Sequence, residues 1–141
     1  MSRVENGIRY ENRLPKKQEK PMKNKKLIKS VYNAFRGIVY AIHSERNLPL
    51  HLVGAAAALA ASFYFKVGKA ELLFVITAIF LVFITEMINT AIEAVVDLKT
   101  REFHPLARVA KNVAAGAVLC AALFALVVAY IVFADRLKSL W

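Results

Sequence analysis

The stretch from Ala70 to Leu98 constrains this chain more than any other. It keeps one helical period, runs apolar from Leu72 to Thr85, and then reads Glu86-Met87-Ile88-Asn89-Thr90-Ala91-Ile92-Glu93-Ala94-Val95-Val96-Asp97. As a helix it measures about 43 Å at 1.5 Å per residue, longer than the roughly 30 Å hydrocarbon core of a bilayer. Glu86, Asn89, Glu93 and Asp97 are spaced three, four and four residues apart, which puts them in a wedge of roughly 60° on one face. Ionisable groups at lipid depth are costly unless paired, hydrated or bound to a cation, so this stripe marks a site for metal and proton chemistry.

The rest of the chain agrees with a membrane setting. Hydrophobic residues make up 58% of the 141, too many for a soluble domain this small, and the net charge is +10. Most of the basic residues precede Asn47 and the others flank apolar segments. That placement orients membrane proteins and attracts anionic lipid, so no nucleic-acid partner is expected. Cys120 is the only cysteine, which excludes an intrachain disulfide and leaves it a packing role in an apolar helix. The polar N-terminus carries no apolar signal segment, and Met22-Lys23-Asn24-Lys25-Lys26 offers an alternative start.

Taken in order, residues 1–26 read as a basic, disordered arm that lies on an anionic leaflet. Residues 27–141 read as a single membrane domain. Its first element, 27–47, places Leu27, Val31, Phe35, Ile38 and Ile42 at helical spacing among Lys29, Arg36, His43, Glu45 and Arg46. Such a helix lies in the interface instead of crossing it. Spans are expected over 50–66, 70–98 and 109–134, the first apolar except for His51 and rich in alanine. The fold class is therefore an all-α membrane protein with an N-terminal interfacial amphipathic helix and three transmembrane helices. The basic residues of the N-terminal region and of the loop 99–108 put both on the cytoplasmic side. Glu93 and Asp97 then fall at the cytoplasmic interface, with Glu86 a turn or two deeper and Lys111 at the same level.

A carboxylate at lipid depth can take a proton from a lipid hydroxyl. Acids nearer water can hold Mg²⁺, which bridges phosphates, and a lysine beside them can neutralise phosphate charge. These are the parts of phosphoryl transfer from ATP to a membrane alcohol. No G-x-x-x-x-G-K-[ST] loop is present, so the reading rests on no soluble nucleotide fold. The same acids could instead form the relay of a small proton- or ion-coupled transporter, with a purely structural membrane subunit as a third reading.

At these residues the sequence resembles the prokaryotic diacylglycerol kinase family, the small integral-membrane lipid kinases of bacteria. Residues 86–97 are similar to its E-x-x-N-[ST]-A-I-E-x-x-V-D signature. The likeness extends through Phe103-His104-Pro105-Leu106-Ala107 and Ala110-Lys111 to Ala114-Ala115-Gly116-Ala117-Val118. Ser44-Glu45-Arg46-Asn47 and His104-Pro105-Leu106-Ala107 look more like the branch that phosphorylates undecaprenol than the diacylglycerol branch.

The resemblance implies a multi-pass protein of the bacterial inner membrane with its N-terminus in the cytoplasm. It implies a homotrimer with active sites shared between subunits, a lipid alcohol and ATP as substrates, and Mg²⁺ as cofactor. Glu86 takes the place of the catalytic base. Glu45 and Glu93 match the metal ligands that also meet the nucleotide. Asn89 matches an orienting amide, Asp97 a supporting acid and Lys111 a phosphate-binding lysine. Glu102, Phe103 and His104 fall where the family holds the nucleotide. Asn112 stands where the family usually has Asp; the amide keeps one acceptor oxygen and loses the charge.

Overall fold

The computed structural model describes residues 23–45, 47–99 and 102–139. The basic arm expected over 1–26 lies outside them as far as residue 22. All regular structure among the described residues is helical: α1 (Lys23–Ser44), α2 (Leu48–Tyr64), α3 (Lys69–Lys99) and α4 (Pro105–Lys138).

α3 and α4, with 31 and 34 residues, are both long and apolar enough to cross a bilayer. They pack along each other as the main helix pair of the molecule. α2 has 17 residues and rises about 26 Å, just short of a hydrocarbon core. It follows α1 at a bend of 102°. In α1 the apolar stripe of Leu27, Val31, Phe35 and Val39 stands uncovered.

The helix starts follow proline chemistry. Proline lacks an N–H but loses nothing in a first turn, where that group has no intrahelical partner. Pro49 occupies the first turn of α2 and Pro105 that of α4. Pro105 starts α4 four residues ahead of the expected span at 109, and it keeps His104 extended at φ −131° and ψ 125°, the conformation that a following proline favours.

At the other end of α2, Lys66 N–H donates to the Phe63 carbonyl at 3.2 Å and Val67 N–H to the Ser62 carbonyl at 3.1 Å. That is a Schellman closure, and it needs a left-handed residue. Lys66 supplies one at φ 49°.

The tightest packing gathers at the end of the bundle that holds this turn. Val75, Ala78, Val128, Val132 and Phe133 form its core, with Ala58, Ala61, Phe65 and Val67 of the α2 end laid against it. Glu71 Oε2 accepts from the Gly68 backbone N–H at 2.8 Å and pairs with Arg136 Nη2 at 2.8 Å. This ties the start of α3 to the end of α4. The opposite end, where α3 finishes and α4 begins, is left for polar side chains. Cys120 is exposed on α4.

Candidate active site

The α3 stripe passes from burial to water as it approaches that polar end. Glu86 is 1% exposed and Asn89 6%; Glu93 is half-buried and Asp97 exposed. Asn89 Nδ2 donates to Glu93 Oε1 at 3.0 Å, one helical turn further on. Thr90 turns its hydroxyl back onto the Glu86 carbonyl at 2.9 Å, so it satisfies the helix and leaves the stripe to the acids and the amide.

The α1–α2 corner lies over α3 at the level of Glu86. Ala41 and Leu48 anchor it, at 3% and 0% exposure. Glu45 ends the α1 turn, its N–H on the Ala41 carbonyl at 3.0 Å; His51 N–H donates to the Asn47 carbonyl at 3.0 Å. The corner delivers one side chain to Glu86 and the charge of a second. His51 Nε2 stands 3.1 Å from Glu86 Oε1. The charge of Glu45 also acts on Glu86, as does that of Glu93 from its own helix.

Two buried acceptors on this face have no aligned donor, Glu86 Oε1 and Asn89 Oδ1. The His51 contact is close in distance but off the axis of a hydrogen bond. Buried polar oxygens are nearly always satisfied in finished structures, so an orphan pair three residues apart marks a site whose hydrogen bonds close only when a ligand is bound.

About three turns along, Asp97, Glu102, Phe103, His104, Lys111 and Asn112 line one open cavity of about 620 Å³ between the end of α3 and the start of α4. Lys111 Nζ donates to Asp97 Oδ1 at 2.6 Å across the two helices. Lys111 also feels the charge of Glu93, which links the cavity to the Glu86 face. The ten residues picked out from sequence thus fall into two neighbouring groups. Glu45, Glu86, Asn89 and Glu93 gather under the corner; Asp97, Glu102, Phe103, His104, Lys111 and Asn112 surround the cavity. Sequence reasoning assigned nothing to His51, although a lone titratable residue in an apolar helix was the available signal.

The donor set suits magnesium carried on phosphate. Among the described residues, no three His, Cys, Asp or Glu side chains converge as a metal cage. The charges of Glu45 and Glu93 both reach Glu86, and Asn89 Oδ1 on the same face is an unpaired carbonyl oxygen. Mg²⁺ takes oxygen ligands and usually completes its shell with water and substrate phosphates, using only one or two carboxylates.

The family model for prokaryotic diacylglycerol kinase matches residues 32–133. An undecaprenol kinase of Bacillus subtilis is 37% identical over 112 residues, covering 79% of this chain and 91% of that protein. A diacylglycerol kinase of Synechocystis is 40% identical over 116 residues, 81% of this chain and 66% of that protein. The diacylglycerol kinase of Escherichia coli K12 is 30% identical over 102 residues, 72% of this chain and 84% of that one. With a match that runs from α1 almost to the end of α4, this chain belongs to the prokaryotic diacylglycerol kinase family and is a membrane lipid kinase.

Proposed function

We propose that the chain transfers the γ-phosphate of ATP to the hydroxyl of a membrane lipid, with undecaprenol as the preferred acceptor and diacylglycerol as the alternative. The observation that carries the reading is the buried acceptor pair, Glu86 Oε1 and Asn89 Oδ1, one cavity away from a lysine. Glu86 and Asp97 are about 16 Å apart along the α3 axis at 1.5 Å per residue. That separation is comparable to an extended nucleoside triphosphate. A base held there at 1% exposure meets a lipid headgroup from one side and a terminal phosphate from the other.

In this scheme the cavity takes the nucleotide, with Phe103 and His104 beside the base and Lys111 on the phosphates. Asn89 orients Glu93 through its 3.0 Å hydrogen bond. Glu86 takes the proton of the lipid hydroxyl as the new O–P bond forms and the bond to the leaving ADP breaks. Glu45 and Glu93 would hold Mg²⁺, which when bound neutralises phosphate charge and lowers its repulsion of the incoming oxygen.

Undecaprenol is favoured by Ser44-Glu45-Arg46-Asn47 and His104-Pro105-Leu106-Ala107, and by a match that spans most of an undecaprenol kinase. The same proposal takes residues 27–141 as one domain with three spans. It sits in the bacterial inner membrane with the N-terminus cytoplasmic and the basic arm against anionic lipid. Three copies share their active sites. The uncovered apolar faces of α3 and α4 are what lipid tails and neighbouring subunits would cover.

The test is phosphate transfer from MgATP by the purified protein in mixed micelles, with undecaprenol and diacylglycerol given in parallel. A higher kcat/KM for undecaprenol is expected. Absence of transfer to either lipid, from protein shown to be folded, overturns the proposal.

A further inference from the structure

Sixteen of the seventeen side chains of α2 are apolar or uncharged, and the exception is placed with care. His51 stands in the first turn and a half of that helix. There the N-terminal end of the helix dipole disfavours a cation, so nothing in α2 itself accounts for an imidazole at this position. Its partner is on another helix, 3.1 Å away: Oε1 of Glu86. Glu86 has a side chain only 2% exposed, whereas that of His51 is 28% exposed.

Glu86 needs such a partner. Its carboxylate is buried and faces the charges of Glu45 from the α1–α2 corner and of Glu93 from its own helix, and both repel it. Asn89, the nearest amide on its face, spends its N–H on Glu93. Among the described residues, His51 carries the only N–H or cationic group recorded against the Glu86 side chain. A buried charge among like charges is sustained only with a compensating donor.

The geometry points to His51 as the positioning residue of the base: its Nε2–H holds Oε1 of Glu86, fixes the plane of the carboxylate, and leaves Oε2 to the substrate hydroxyl. The contact is off-axis here. Catalytic hydrogen bonds commonly tighten only once substrate is bound. The corner makes this possible, because Leu48, wholly buried, and the His51 N–H on the Asn47 carbonyl fix the start of α2 over α3. The inference rests on the reading of Glu86 as base.

The test is steady-state kinetics of His51→Leu, His51→Gln and Glu86→Gln with MgATP and undecaprenol in mixed micelles, each variant checked by melting and gel filtration. A positioned base is worth about 10²–10⁴-fold, so loss of its partner should lower kcat about 10- to 100-fold. In His51→Leu that drop is expected with the KM for MgATP unchanged within about twofold, because the nucleotide cavity does not include His51. Glutamine keeps an N–H of similar reach, so His51→Gln should recover most of the lost kcat. A kcat for His51→Leu equal to the parent, or a loss matched by a rise in the KM for MgATP, overturns the assignment. Should His51→Leu fail to fold, His51→Ala takes its place with the same expectation of a reduced kcat at unchanged KM for MgATP, and parental kinetics in it refute the assignment. If Glu86→Gln itself stays active, the reading of the base has failed, and that result is separate from any result at His51.

Discussion

If Glu86 is the base proposed above, Glu86→Gln isolates proton abstraction from everything else the site does. The substitution is nearly isosteric at a position 1% exposed, so packing under the corner is retained and no cavity opens. Glutamine keeps a carbonyl oxygen for His51 but cannot take a proton at neutral pH. Loss of a positioned general base costs about 10²–10⁴ in rate, or about 2.7–5.4 kcal/mol at 1.36 kcal/mol per decade. The cavity proposed for the nucleotide is lined from Val96 onward and does not include Glu86, about 15 Å away along α3. Affinity for MgATP should therefore hold within about twofold, since no ground-state contact is removed. The assay is transfer of labelled γ-phosphate to undecaprenol in mixed micelles, with nucleotide binding to the same preparation measured by calorimetry. A variant that transfers within tenfold of the parent would refute the base. One that loses MgATP binding would make Glu86 a metal ligand instead.

Three further outcomes follow from the same geometry. Glu93→Gln should raise the magnesium concentration needed for half-maximal rate severalfold, and an unchanged magnesium dependence would remove Glu93 from the metal shell. Asn112→Asp restores the charge usual in the family at a cavity residue and should raise kcat/KM for MgATP; an equal or lower value would show that the amide is tolerated. Leu48→Ala empties a wholly buried site at the corner and should cost about 2–5 kcal/mol of stability, lowering kcat with it as His51 and Glu45 lose their placement. Parental melting and parental kcat in that variant would show that other contacts set the corner.

The parts of this molecule that were legible in sequence are those written in local period. The α3 stripe could be found because one helix carries all four polar residues, and the burial gradient from Glu86 to Asp97 follows from the length of that helix. The start of α4 was equally local. Pro105 marks a first turn, but the charges from Lys99 to Arg108 read as loop and concealed it. Contacts across helices leave no such period. The His51–Glu86 contact joins residues on α2 and α3, and the Lys111–Asp97 bond joins α4 to α3. Nothing in the spacing of either pair declares it. Glu45 shows the difference well: in the sequence it is one of several charges interleaved with the apolar residues of 27–47, and its assignment came from resemblance. Only the fold brings its charge to bear on Glu86.

The exposed thiol of Cys120 has a practical consequence. Because no other cysteine exists in the chain, a nitroxide attached there marks one point per copy without any engineered residue. Dipolar spectroscopy on that label then measures the assembly directly. Modulation depth counts the copies, and a threefold arrangement yields a single distance. The sequence thus carries its own ruler for whether the proposed assembly forms and how far apart its α4 helices stand.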